Sequence, residues 1–434
     1  MKYLFLLSFL CFSSIAASEL TLNIKIQKLN QQPEWAIHYS FNQPVSALSF
    51  NHTPYGFISN YWQLDTLLLD NKTLEIKSKN PTKSLSFNVS GADSNSYSQF
   101  YTPFLKYDQH SYAVYIGHYL PEYVIAQGTQ NKKVLRKNIK INLEISGIED
   151  DVVNFTNGGN GINDLINNSK IRRYVLVGKY STVEKHPMFN LVINPNIPKW
   201  LKSEYETVTA KLFTLFEQKF KYKLPYRPLI IVAFDDDKHH KSFNGGAVDQ
   251  QVALNIIGTG WQEKNNDNIN ALVELMSHEL IHLYNSQHWI NIHYTAWLHE
   301  GSAQWLAKES LYALNYLSKE QYKQFNLNII TQCSDNLGFS AIPDMQHSNL
   351  YQHIYNCGHV IFDALATALN KEPFAFWLEF VSVNNDNEYK VDDLYQVIGD
   401  KRPELLENLK ILIEPRANIR KSALSKLTLS PATQ

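Results

Sequence analysis

Polar and apolar residues alternate in short runs along the first third of the chain, as in 20–26 (LTLNIKI), 35–39 (WAIHY), 74–78 (LEIKS) and 139–145 (IKINLEI). A period of two puts successive side chains on opposite faces of a strand. These segments therefore predict half-buried strands, and their succession predicts a β-sandwich-like domain. The pattern breaks at 154–170 (NFTNGGNGINDLINNSK), where Asn and Gly accumulate and a domain boundary is expected. Two apolar runs follow, 173–178 and 189–193. A helical period over 198–220 then lines up Leu201, Tyr205, Val208, Leu212 and Phe216 on one face. Residues 228–234 (PLIIVAF) read as a buried strand, and 252–256 as another. Beyond them helices are expected at about 268–287, 297–315, 319–332, 350–370, 373–384 and 391–398. Strands followed by helices within one segment predict an α+β fold. The expected organisation is a β-rich domain over 19–168 and a second domain over 169–434, helical from about 268.

The first 18 residues stand apart. Lys2, the apolar run from Leu4 to Phe12 and the small residues Ser14, Ala16, Ala17 and Ser18 read as a secretory leader. The run falls short of the roughly 20 apolar residues that span a bilayer, and no later stretch is as apolar for as long. An exported chain, periplasmic or secreted, with no membrane anchor after leader removal is expected. Composition changes this picture little: 434 residues at 44% hydrophobic and 19% charged imply a globular chain with more than one core. A net charge of -1, with Lys and Arg scattered, leaves no footprint for nucleic acid. Cys333 and Cys357 remain once the leader is gone. An oxidising compartment permits their pairing, and the sequence alone leaves both that pairing and the oligomeric state open.

Candidate chemistry concentrates in 276–285 (MSHELIHLYN), which contains His278-Glu279-x-x-His282. Residues four apart share a helix face, so both imidazoles can point at one ion. Glu279, beside the first ligand, can reach a metal-activated water and take its proton. Zinc accepts three nitrogen or oxygen ligands and leaves a fourth position open for water. The flanks are apolar (Leu272, Leu275, Met276, Leu280, Ile281, Leu283), so the polar trio is expected on a buried face, where charge needs a partner. A third ligand is expected from His299 or Glu300, at the start of the next amphipathic helix. The run Asp235-Asp236-Asp237 with His239 and His240 reads as a solvated loop rather than a second metal site.

The HExxH motif followed by Trp297-Leu298-His299-Glu300-Gly301-Ser302-Ala303 resembles the gluzincin metallopeptidases, in particular the aminopeptidase N and glycyl aminopeptidase families. Aminopeptidase N relatives usually place 18 residues between the second His and the Glu, and this chain places 17. Tyr284-Asn285 stands near the Trp-Asn that often ends the glycyl aminopeptidase motif. The likeness runs from about 174 to 399. It implies a thermolysin-like zinc peptidase domain with a helical C-terminal subdomain behind the β-rich domain. It also implies one zinc ion per chain on His278, His282 and Glu300, Glu279 as general base, and peptide substrates. Ile354-Tyr355-Asn-Cys-Gly358 fits the family's Tyr-x-x-Gly helix start, which implies Tyr355 as the oxyanion donor, with Tyr351 as a nearby rival. Gly246 to Gln250 stands where the family's exopeptidase loop binds a free amine, which implies a substrate role for Gly246 and Asp249. An ordinary turn into the strand at 252 is the other reading of that segment. The reaction expected is peptide-bond hydrolysis near a free N-terminus. An endopeptidase on the same scaffold and a zinc-containing, non-catalytic peptide-binding protein are the alternatives.

Overall fold

Strands β1 (Leu20–Lys28), β2 (Glu34–Ser49), β5 (Glu75–Ser90) and β10 (Ile139–Ser146) form the main sheet of the first part of the chain. β1 runs antiparallel to β2 and parallel to β10, and β2 runs antiparallel to β5. The period of two has its expected effect. Leu20, Leu22, Ile24 and Ile26 of β1, and Ile139, Ile141, Leu143 and Ile145 of β10, are all buried on one face. Shorter strands complete the sheet: β3 (Trp62–Gln63) and β4 (Leu68–Asp70) pair with β5, while β8 (Tyr123–Ala126) pairs with β2 and with β9 (Lys132–Leu135). Helix α1 (Tyr55–Tyr61) brings Phe57 against Trp62, whose ring stacks on Phe87 at 4.5 Å. Lys28 ends β1 fully buried and pairs with Asp151 at 2.8 Å.

This computed structural model describes residues 19–50, 53–65, 67–70, 72–91, 101–127, 132–154, 173–179, 183–236, 239, 241–285, 295–338, 340–345, 350–383, 389–399, 402–414 and 419–429. The expected leader and most of the 154–170 boundary lie outside them. Two compact units are present: Met1–Ser94 with Ile116–Ile171 and Val175–Gly178, and Asn95–Tyr115 with Arg172–Tyr174 and Lys179–Gln434. The described residues 101–115 belong with the second unit. They contribute β6 (Phe104–Lys106) and β7 (Tyr112–Tyr115), a hairpin. In the first unit β11 (Val152–Asn154) runs antiparallel to β12 (Tyr174–Gly178).

The second unit holds a five-stranded sheet in the order β13 (Glu184–Lys185), β14 (Asn190–Ile193), β15 (Leu229–Asp235), β17 (Gln251–Ile257), β16 (Ser242–Val248). β14, β15 and β17 are parallel, and β16 is the antiparallel edge strand. β15 and β17 are apolar almost throughout because both of their faces are covered. Of the segment 246–250, expected as a loop or turn, residues up to Val248 belong to the strand Ser242–Val248, and the turn proper falls at Asp249, with φ 53°.

Helices follow: α2 (Lys199–Lys219), α3 (Asn266–Tyr284), α4 (Ala296–Ala313), α5 (Lys319–Leu337), α6 (Ile342–Met345), α7 (His353–Ala368), α8 (Pro373–Ser382), α9 (Val391–Ile398), α10 (Pro403–Ile413) and α11 (Arg420–Leu429). Those expected between 198 and 398 are present, and α10 and α11 extend the helical region. The side chain of Asn265 caps α3 by accepting from the Asn268 N–H. Two buried aromatic groups tie the helices together: Phe216, Phe220, Tyr284 and Phe374, and Trp305, Phe362, Phe376 and Trp377. Cys333 of α5 and Cys357 of α7 are joined in a disulfide. Among the described residues no helix is long and apolar enough to cross a membrane.

Candidate active site

α3 is apolar on all sides near its C-terminal end, and Ser277, His278, Glu279 and His282 are buried with their apolar neighbours. One turn separates the two histidines, so their rings meet edge to face at 4.6 Å with Nε2 atoms 3.0 Å apart. α4 begins nearby and presents Glu300. Its Oε2 lies 3.2 Å from His278 Nε2 and 3.3 Å from His282 Nε2. His299, the other expected ligand, stacks on His282 at 4.0 Å instead and is not one of the three converging donors.

These separations test whether the residues fit a metal ion. A tetrahedral zinc with bonds of about 2.0–2.1 Å holds its ligand atoms roughly 3.3 Å apart, close to the spacing of all three pairs. The donor set of two imidazoles and one carboxylate also suits zinc. Burial pushes the Glu300 carboxyl up, but the charge of His282 and hydrogen bonds from His278 and His282 outweigh it and hold the group well below its usual range. A second cluster, Glu184, His186 and Glu206, also converges, but the Lys202 ammonium already occupies Glu184 at 2.6 Å.

The Glu279 carboxylate accepts the Ala247 N–H of β16 and lies within electrostatic reach of His278 and Glu300. Its Oε2 is buried with no hydrogen-bond partner among the described residues. Burial above all, with Glu300 adding, pushes its carboxyl up to about 7, against the opposing pull of His278 and of the Ala247 N–H. A carboxylate poised near neutrality exchanges protons readily at neutral pH. A Cβ on Gly245 would lie 2.5 Å from Leu254 Cδ2 and 3.6 Å from Glu279 Oε1.

Tyr355 lies one turn into α7 with its ring stacked at 5.7 Å from His278. Its hydroxyl donates to Tyr351, so the two tyrosines expected as rivals stand together. Burial first, then the negative charge of Glu300, raises the Tyr355 hydroxyl well above its ordinary range, so it stays a protonated donor. α7 reaches the site through a close crossing with α4. A Cβ on Gly301 would lie 2.4 Å from Gly358 Cα, and one on Gly358 would lie 2.4 Å from the Trp297 carbonyl oxygen. Gly301 and Gly358 thus let the two backbones touch, which brings Tyr355 beside His278.

Gly246 and Asp249 are placed differently from one another. Gly246 lies on β16 beside the ring of Tyr101, whereas the Asp249 carboxylate is held by Arg173 in an ion pair. Sequence reading missed Tyr101, whose hydroxyl donates to the Ala247 carbonyl at 2.6 Å. No motif marks it among 25 tyrosines.

No family model matches the chain, and no curated protein matches its sequence. Solved structures do match. The crystal structure of an aminopeptidase N family protein from Idiomarina loihiensis superposes with a TM-score of 0.57 at 11% identity, covering 95% of this chain and 76% of that one. Yeast LTA4 hydrolase in complex with bestatin gives a TM-score of 0.52 at 10% identity, covering 91% of this chain and 68% of that one. The fold is therefore that of the aminopeptidase N and LTA4 hydrolase structures.

Proposed function

We propose that the protein is a zinc-dependent metallopeptidase suited to releasing residues from a free N-terminus, with one zinc ion per chain on His278, His282 and Glu300. The observation that carries this reading is the convergence of those three donor atoms at 3.0–3.3 Å, with the unpartnered Oε2 of Glu279 beside them. When bound, zinc supplies Lewis acidity to a water and to the scissile carbonyl. Glu279 takes the proton on its carboxylate and returns it to the leaving amine. Tyr355 turns its hydroxyl from Tyr351 to the developing oxyanion. The edge strand β16 offers its outer backbone groups to an extended peptide, as β-strand addition requires. The leader-like first 18 residues and the Cys333–Cys357 bond support export to an oxidising compartment.

An endopeptidase on the same scaffold draws on one observation, the pairing of Asp249 with Arg173, which engages the carboxylate that would anchor a free amine. Metal analysis combined with turnover of aminoacyl amides and N-blocked peptides separates the readings. Zinc at one per chain with cleavage confined to free-amine substrates is expected. Cleavage of blocked peptides would select the endopeptidase, and bound zinc with no turnover of any peptide would leave a non-catalytic peptide binder. Glu279→Gln is expected to keep the metal and lose roughly 10²–10⁴-fold in kcat, the range for removal of a general base.

A further inference from the structure

The outer edge of β16 is the one place where a peptide strand could add to this sheet beside Glu279, and part of it is already taken. In an edge strand, alternate residues direct both backbone N–H and C=O away from the sheet. At Ala247 both of these groups are used within the protein: the N–H is given to Glu279, and the C=O accepts the Tyr101 hydroxyl at 2.6 Å. The Tyr101 ring lies so close to the strand that a Cβ on Gly246 would come within 2.5 Å of its Cε1. Tyr101 is itself braced, with its ring 4.7 Å from Tyr115 and 6.3 Å edge-on to Tyr174. Just beyond, Arg173 holds Asp249 in the turn that ends the strand. From Ala247 onward the edge is covered by side chains of its own unit; farther back Tyr101 lines a small cavity with Asn244 and Gly245, and the Ser242 C=O accepts the Trp261 indole N–H at 3.0 Å.

We propose that Tyr101 is a specificity-determining residue that caps the edge strand and limits how many substrate residues can lie on the N-terminal side of the scissile bond. The proposal rests on the peptidase reading above. A substrate pairing antiparallel with β16 would run its N-terminal residues toward Ala247 and Asp249, the covered end. The ring and hydroxyl of Tyr101 occupy the place where a second or third such residue would bond. Length selection would then come from a steric wall, with no need for a carboxylate that binds the terminal amine.

Hydroxamates test this in a fixed register, because the chelating group sits on the metal and only the residues N-terminal to it change. Binding of alanyl, dialanyl and trialanyl hydroxamates to the zinc-loaded protein would be measured by calorimetry, alongside peptide turnover. Affinity is expected to fall at least tenfold from the alanyl to the trialanyl compound. Tyr101→Ala should abolish that fall by tightening the long ligand while leaving the short one within about threefold, and Tyr101→Phe should relieve it in part. Equal affinities across the series in the unaltered protein would overturn the proposal. So would a uniform loss in Tyr101→Ala, which would mark the residue as structural. Length-selective binding without turnover would remove the peptidase reading and keep the cap. Turnover without length selection would do the reverse, and neither binding nor turnover would remove both.

Discussion

At the residue scale, the site divides between groups that hold and groups that move protons. The three metal-ligand candidates converge from two helices, whereas Tyr355 reaches the site from a third and keeps its hydroxyl on Tyr351. That arrangement predicts unequal effects for two similar substitutions. Tyr355→Phe should cut kcat by roughly 10²–10³-fold, the cost of losing one oxyanion donor, with KM little changed. Tyr351→Phe, which removes only the resting acceptor, should cost less than about tenfold. Steady-state kinetics on one substrate checks both, and equal losses would reverse the assignment.

A second residue-scale prediction concerns His359, which is fully buried beside a cavity of about 110 Å³, with neither ring nitrogen partnered among the described residues. Burial, helped by Lys308, lowers its pKa to about 3, against about 6.5 in an unfolded chain. Below pH 6.5 the unfolded state therefore binds a proton that the native state refuses, and stability falls with pH until about 3. Asp363 across the cavity, raised by burial to about 6, works in the opposite direction, since its native form takes a proton before the unfolded one does. In His359→Leu the first effect is gone. Urea melts should show the variant gaining on the unaltered protein by about 1.4 kcal/mol per pH unit between pH 6.5 and pH 4.

At the scale of elements, the site depends on two crossings. One is edge strand against helix, where the Ala247 N–H of β16 meets the Glu279 carboxylate. The other is helix against helix at Gly301 and Gly358. A methyl group at Gly358 would meet backbone atoms on α4, which cannot move aside as a side chain could. Gly358→Ala should therefore destabilise the fold by about 1–3 kcal/mol and displace Tyr355 from the ligands. Thermal melts combined with kinetics check this, with activity expected to fall even well below the melting temperature. The same crossings explain what was legible beforehand. The histidines of α3 and their base lie within one turn of one helix, so local periodicity reveals them. Glu300 follows at the start of the next helix and was readable as one of two neighbours. Gly358 was visible as part of a Tyr-x-x-Gly pattern, but its reason, contact with Gly301, depends on pairing between segments that no local period encodes.

Across the whole molecule, hydrophobic patterning located the strands of the first unit and most helices of the second, because each buries one face or both against a single core. It missed the edge strand 242–248, whose Ser, Asn and Gly residues carry no alternating signal, since its exposed side serves the site rather than the core. Tyr101 reaches Ala247 from 146 residues away, a pairing that no local period encodes, so its place could not be read from the chain.

The Cys333–Cys357 bond has a consequence for the order in which the protein would fail. Cys357 lies two residues after Tyr355, so the bond anchors the Tyr355 end of α7 to α5, while the candidate metal ligands sit on α3 and α4 with no disulfide to either among the described residues. Opening it should cost about 3 kcal/mol, as expected for a loop of this length. The loss should fall first on the helix that carries the tyrosine. A mild reductant is expected to lower kcat and the melting temperature while bound zinc stays near one per chain, and release of zinc in step with activity would contradict this. A reduced chain would then be metal-loaded yet slow, so that oxidation becomes the last step of its maturation.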